Sequence, residues 1–507
     1  MTRPRALPCV AFALLAAGGW TCGAQAQGLR IVPLLGLGAT YSDNPPLQPD
    51  AATRPGWIAE VTPGLRATGR TPLLDIYADA RWRILRYSNA KDHDSTQGDV
   101  DARATLKVPG DVVFVDGNYQ VGQQSLNPFG PASTPDRANQ STNRVETRLA
   151  QAAPYARGYL GDIAAWQAKA IGSNLRTDTP GVPVVDAYEF DARVRNASPS
   201  ARLGWILDGK SWHVRPRGEA TAKDERLRAT FLAEIAYHLR LTATAGRDET
   251  DFLFGGPQSG NAYGGGLQWS PGPRTQVSAL YEHRFYGDFH DVLIAWRSPH
   301  SAWRFASVKD LTVLPNVLQN GASTPTLQLM NDLLSSAITD PAARSDAARQ
   351  QLEQAALAGA APLSSGYITS RPVEYQEDEI AGTLMGARNA VTARADRRQQ
   401  RTRGPALFPT PVTLADDNFR QVRYSIQWTH RLTPLTNLAL EGARLDTRSI
   451  GADERRSLER QATAILRSQL GPHAALSLGV RRLLFTGSGT FASFSENAIF
   501  GLITIEL

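Results

Sequence analysis

Cysteine is nearly absent from this chain of 507 residues: there are 2, Cys9 and Cys22, both close to the N-terminus. A chain cleaved after residue 26 has no thiol, which excludes a disulfide framework and any Cys-ligated metal. Long apolar runs are also missing. Beyond the first 26 positions no segment reaches the ~18 apolar residues that a membrane-crossing helix needs. The 8 histidines include no H-E-x-x-H pair, and no G-x-S-x-G elbow occurs. Gly264-Gly265-Gly266 lies in a strand-like stretch and opens no helix, so it is no phosphate loop. The formal net charge of +6 is interspersed rather than blocked, which gives no footprint for nucleic acid. No cofactor, metal or catalytic set is expected.

The N-terminus itself reads as an export signal, residues 1–26. Arg3 and Arg5 supply the charged end, Val10 to Ala17 the apolar core, and Ala24-Gln25-Ala26 a small-residue cleavage site. Cys22 would suit a lipoprotein signal, but Trp20-Thr21 is a poor context for one.

Past the signal, the dominant feature is an alternation of period two, the pattern of strands with one apolar and one polar face. Leu74, Ile76, Ala78, Ala80, Trp82 and Ile84 alternate with Asp75, Tyr77, Asp79, Arg81 and Arg83. Val100–Val108, Tyr188–Arg195, Leu227–Tyr237, Leu239–Ala245 and Val422–Trp428 behave alike. Such strands exceed the usual 5–6 residues of soluble sheets and match the ~9–11 needed to cross a bilayer at a tilt.

Connections alternate in length. Short turns fall at Gly69-Arg70, Pro109-Gly110, Asp208-Gly209, Pro271-Gly272-Pro273, Arg388-Asn389 and Gly471-Pro472. Longer polar loops span 42–54, 88–95, 124–140, 173–185, 251–261 and 403–416. Short turns on one side and long loops on the other predict an outer-membrane barrel. The count from Arg30 comes to about 22 strands, even as bacterial barrels require. Trp205 and Trp212 beside Asp208-Gly209, Trp269 and Trp428 are expected in an aromatic girdle at the periplasmic boundary. A soluble propeller or solenoid would need a fixed repeat, and none is visible. The final stretch alternates Ile499, Gly501, Ile503, Ile505 and Leu507 with Phe500, Leu502, Thr504 and Glu506, as a C-terminal assembly strand should.

One region breaks the alternation. Thr324-Pro325 and Asp340-Pro341 each combine an N-cap with an N1 proline, which predicts helices through Ile338 and Leu357. The fold expected is therefore an all-β, antiparallel up-and-down transmembrane barrel with one helical insertion. Its parts are a first barrel segment 27–308, an insertion 309–375 and a second barrel segment 376–507. The insertion is either a solvated extracellular hairpin or a plug within the lumen.

Three short motifs add a resemblance. Thr40-Tyr41-Ser42-Asp43-Asn44, Thr62-Pro63-Gly64-Leu65 and Gly386-Ala387-Arg388-Asn389-Ala390-Val391-Thr392 occur in an order that resembles the outer-membrane β-barrel family associated with exosortase/PEP-CTERM exopolysaccharide systems. That resemblance implies a Gram-negative bacterium and a place beside exopolysaccharide production. It implies no catalytic residues.

The polar face supplies the candidate lumen residues: Arg81, Arg83, Arg103, Arg193, Arg195, Arg215, Arg217, Arg228, Arg240 and Arg423, with Asp75, Asp79, Asp101, Glu189, Asp191, Glu219 and Glu234. Arginine suits bidentate contact with anions, whereas pairing across neighbouring strands would only stiffen the wall. The expected partners are outer-membrane lipid, the barrel-assembly machinery and exopolysaccharide or its export machinery. A pore or export component is the leading expectation. A non-conducting structural barrel and a barrel hydrolase with converging Ser, His and acid stand beside it. A TonB-dependent transporter is disfavoured, because the first strand begins too soon after the signal to leave room for a plug domain.

Overall fold

The computed structural model describes residues 28–132, 143–198, 202–253, 255–313, 331, 344, 348, 367–409, 418–451, 454–488 and 491–507. The signal segment and nearly all of the two expected helices lie outside the described residues.

The strands are β1 (Leu29–Ser42), β2 (Gly56–Arg70), β3 (Leu74–Tyr87), β4 (Ser95–Lys107), β5 (Val113–Ser125), β6 (Arg144–Leu160), β7 (Ala164–Thr177) and β8 (Val185–Asn196). They continue with β9 (Leu203–Pro216), β10 (Ala222–Ala236), β11 (Leu239–Thr250), β12 (Gln258–Gly272), β13 (Thr275–Arg284), β14 (Gly287–Ser298) and β15 (Ser301–Thr312). The last are β16 (Val373–Met385), β17 (Asn389–Thr402), β18 (Phe419–Thr433), β19 (Thr436–Ser449), β20 (Arg456–Gly471), β21 (Ala474–Thr486) and β22 (Phe494–Glu506). Each pairs antiparallel with its neighbours in the chain, and β1 pairs with β22 from Leu34↔Glu506 to Ser42↔Ala498. The sheet of 22 strands is thus a closed barrel with no free edge.

Alternation sets the two faces. On β3 the odd positions face the lumen and the even ones, ending with Ile84 and Arg86, face out. On β8 the outward Tyr188 and Phe190 are exposed while Val185 and Ala187 are buried inside. The outward side chains form an apolar belt that includes Leu37, Leu207, Leu227, Phe231, Leu241, Ile294, Ile380, Ile426 and Ile499, all exposed. Tyr237, Trp269, Trp296 and Trp303 mark its lower margin, and Tyr41, Trp57, Tyr188, Tyr263 and Tyr424 its upper one. A greasy exterior between aromatic margins, around a polar interior, is the physics of a lipid-embedded barrel. With even strand number and antiparallel closure this is the outer-membrane architecture, and the protein resides in a bacterial outer membrane.

Several expectations change. Asp208-Gly209 is no turn but the middle of β9, with Asp208 opposite Arg193 and Arg228. The Trp212 indole is therefore not in a girdle; it is buried on the lumen side, edge-on to Phe252 at 6.2 Å. Trp205, Trp269 and Trp428 do face outward. The insertion is shorter than 309–375, because β15 continues to Thr312 and β16 begins at Val373. The strand number matches the count from sequence, including the compact turns at Tyr237-His238 and Pro299-His300.

Candidate functional site

The lumen wall is built from the polar halves of the strands. On β3, Arg81 grips Asp79 through Nε (2.7 Å) and Nη2 (2.8 Å), and Arg66 of β2 reaches the same carboxylate at 3.0 Å. Arg83 pairs with Glu60 at 2.9 Å, Arg103 with Asp101 at 3.0 Å, and Asp75 with Arg70 at 3.1 Å. Across the β8–β9 ladder, Lys210 reaches Glu189 at 2.8 Å and Arg193 reaches Asp208 at 3.5 Å, with Asp191 directly opposite Lys210. Arg240 pairs with Glu234 at 3.4 Å.

The densest part lies on β10 to β15. Arg228 makes two bonds to Asp248 (2.6 and 3.0 Å) and one to Glu282 (3.1 Å). Glu282 also holds Arg284, which reaches on to Asp310 at 3.1 Å. Neighbouring Arg226 pairs with Asp224 at 2.6 Å. Gly246 makes the packing feasible: a Cβ there would lie 2.1 Å from the Leu227 carbonyl oxygen and 2.8 Å from Arg228 Cδ. Removing one partner from a buried pair of this kind costs about 3–5 kcal/mol. Lys169, Asp191, Lys210, Arg228, Glu282 and Arg284 border a recess in this wall.

Toward the extracellular end the lumen changes character. Phe252 and Leu253 from the β11–β12 loop, Phe408 from the β17–β18 loop, and Val313 and Ile368 from the β15–β16 connection pack on Trp212, Val214, Phe289 and Val373 of the wall. The β5–β6 loop reaches across to the far wall. Gln421 of β18 donates to the Pro128 carbonyl at 3.3 Å and to Tyr367 Oη at 2.8 Å, and Ala132 N donates to Glu459 of β20 at 2.9 Å. Phe129 is buried between Tyr367 and Phe419. Burial pushes the Tyr367 phenol above its ordinary range.

Of the sequence-chosen residues, Arg81, Arg83, Arg103, Arg193, Arg195, Arg228, Arg240, Arg423, Asp75, Asp79, Asp101, Glu189, Asp191 and Glu234 take lumen positions. Arg423 stands opposite Asp396. Three do not. Arg215 sits on the outward face of β9 opposite Asp186, because the strand runs through the expected turn and reverses no parity there. Arg217 lies just past β9 and also reaches Asp186, at 3.3 Å, while Glu219 is exposed in the β9–β10 loop. Lys210, Arg226, Asp248, Glu282 and Arg284 also stand on the lumen wall without having stood out in the sequence. Lys210 was hidden by the misplaced turn, and Asp224-x-Arg226 carries the same acid-x-Arg signal as Asp79-x-Arg81.

His290 and Ser307 come within hydrogen-bond reach of each other but do not form a hydrolytic set. His290 Nε2 is 2.9 Å from Ser307 Oγ on the outward face, but Ser307 donates to Asp378 at 2.7 Å. The acid therefore holds the serine and not the imidazole, which is the reverse of a triad. Among the described residues no group of three His, Cys, Asp or Glu is placed to hold a metal.

No protein-family model matches the chain. No curated protein matches it either. Solved structures do: the ferric enterobactin receptor PfeA of Pseudomonas aeruginosa, as a mutant, is 10 % identical over 94 % of this chain and 80 % of that one, with a TM-score of 0.47. The FrpB iron transporter of Neisseria meningitidis is 9 % identical over 94 % and 81 %, with a TM-score of 0.49. The outer membrane protein OpdK of Pseudomonas aeruginosa is 10 % identical over 94 % and 98 %, with a TM-score of 0.35.

Proposed function

We propose that the protein is an outer-membrane conduit for hydrophilic solutes or polymer, narrowed at its extracellular end by its own loops. One observation carries this reading: below the mouth the wall is polar and charged, whereas at the mouth the loop residues Phe252, Leu253, Val313, Ile368 and Phe408 pack inward on an apolar collar of the wall that includes Leu175, Trp212, Val214 and Val373. A wall cannot move without breaking ladders, but loop side chains can be displaced. Because most of the lumenal arginines described above have a carboxylate partner, the interior offers many weak polar contacts and little net field. That suits a hydroxyl-rich cargo better than a densely charged one. The motif resemblance supports exopolysaccharide, in an exosortase/PEP-CTERM setting, as the cargo class. No catalytic step is part of this function. Its partners are outer-membrane lipid, the assembly machinery and that export system.

The test is conductance in planar bilayers of the full protein and of a variant lacking residues 314–366. The variant should conduct more than the parent. Baseline current in both would end the conduit reading. It would favour a structural barrel, which the β5–β6 loop crossing the mouth already makes the second choice.

A further inference from the structure

The outward face of β18 to β21 near the extracellular rim concentrates arginine opposite arginine; another outward pair of this kind, Arg148↔Arg176, has Glu146 and Asp178 beside it. Outward charges elsewhere are mixed: Arg148 meets Glu146 and Asp178, and Glu374 meets Lys309 and Arg403. Here Arg420, Arg444, Arg448, Arg456, Arg460 and Arg482 are all exposed. Three cross-strand pairs set arginine directly against arginine: Arg420↔Arg448, Arg444↔Arg460 and Arg448↔Arg456. Like charges opposite one another destabilise a sheet. Asp446 is the one carboxylate among the outward side chains of these strands near the rim, taken up by Arg448 at 3.1 Å and Arg456 at 2.6 Å, with Arg444 at 3.9 Å, while Asp43 lines the adjoining groove near Arg482 and is held by Asn497 at 2.7 Å. Arg420, Arg460 and Arg482 form no ion pair with any described residue.

Directly beneath the arginines the surface becomes apolar and concave. Ala462 and Ala464 floor a groove walled by Leu440, Val480, Ile499 and Tyr41, with Arg482 at its rim. Tyr424, opposite Arg444, marks the same boundary. Small side chains between large ones leave a furrow the width of an acyl chain, and guanidinium groups above it match phosphate oxygens bidentately.

We propose that this face is a binding site for a phosphorylated, acylated glycolipid of the outer leaflet, with phosphates on Arg444, Arg460 and Arg482 and an acyl chain along Ala462 and Ala464. A free anion would use the arginines alone. The groove below them selects a lipid. The site depends on the barrel's orientation in the membrane and not on whether the lumen conducts, so bilayer currents and lipid binding fail separately.

The test uses the full mature protein, delipidated in detergent, titrated with diphosphoryl lipid A and, in parallel, with phosphatidylcholine and inorganic phosphate. The wild type should bind lipid A saturably and bind neither control. The variant Arg444→Gln/Arg460→Gln/Arg482→Gln should bind at least tenfold more weakly, while Arg176→Gln/Arg215→Gln, outward on another sector, should bind as wild type. Ala464→Phe fills the groove with every charge kept and should also weaken binding, so a fold defect in the triple variant does not decide the matter. Equal lipid A binding by all variants, no saturable binding by the wild type, or inorganic phosphate displacing lipid A at equal concentration would each overturn the site.

Discussion

Ser42 Oγ donates to Glu496 Oε1 at 3.0 Å, joining the top of the first strand to the last across 454 positions of chain. The same carboxylate takes two bonds from Arg481, at 3.1 and 2.9 Å. Around it, Asp43 accepts from Asn497 N and Nδ2, Asn44 Nδ2 donates to the Ser495 carbonyl, and Asp50 accepts from Ser495 N. The Thr40–Asn44 motif is therefore a clasp on the closure seam. Only the β1–β22 ladder must form between the two chain ends, and side-chain bonds reinforce it.

Glu496→Ala should weaken that seam more than Ser42→Ala. The first leaves the buried Arg481 guanidinium without its carboxylate, which costs about 3–5 kcal/mol. The second loses one hydrogen bond, about 1 kcal/mol. The temperature at which the folded gel band converts to the unfolded one ranks the two. Equal midpoints would remove the clasp as a stabilising feature.

Gly246→Ala should destabilise, while Gly122→Ala should not. The added methyl at 246 meets the Leu227 carbonyl oxygen and Arg228, whereas nothing lies within 4 Å of a Cβ at 122. Overpacking against backbone costs about 1–3 kcal/mol. Urea midpoints of the two variants check this, and a normal midpoint for Gly246→Ala would mean that Arg228 relaxes without loss.

Two phenols near the mouth should titrate late. Burial pushes both Tyr286 and Tyr367 above the ordinary value of 10.0. A group raised in the folded state favours folding fully below its unfolded value, and that contribution is lost as pH climbs through the folded one. The mouth should stay intact up to about pH 10 and loosen only above it. Ultraviolet difference titration of the wild type against Tyr367→Phe reads this. A phenol at position 367 that ionises with the exposed tyrosines would show that the residue is not sealed.

Much of this architecture is legible from period two alone, because a strand repeats its faces every second residue whatever its neighbours are. The same rule puts Asp79 with Arg81 and Asp224 with Arg226, so those lumen pairs can be found without a structure. Asp208-Gly209 misleads for a local reason: Asp-Gly is a strong hairpin signal. Here Asp208 has Arg193 and Arg228 opposite it on the lumen side, and the strand continues. The apolar mouth was not legible. Phe129, Phe252 and Phe408 lie in polar loops, and only the folded barrel decides that those loops turn inward. The arginine patch was hidden because its members come from different strands, each ordinary in its own stretch.

Phe129→Ala should open the mouth without harming the barrel. The ring is buried against Tyr367 and Phe419, under the Arg455 guanidinium at 4.8 Å from its centroid. Truncating a buried phenylalanine costs about 3–5 kcal/mol, and here the loss falls on the loop's attachment to the far wall and not on any ladder. Among the described residues, the hydrogen bonds that still tie the loop to the far wall are Ala132 N on Glu459 and the Pro128 carbonyl on Gln421, worth about 1 kcal/mol each. The loop should therefore detach, exposing residues 126–132 to protease while the folded gel band persists at the parental temperature. In bilayers the variant should show higher or more frequent openings than the parent. Faster cleavage with unchanged current would mean that the loop covers the mouth but the Phe252–Ile368–Phe408 cluster is what blocks it.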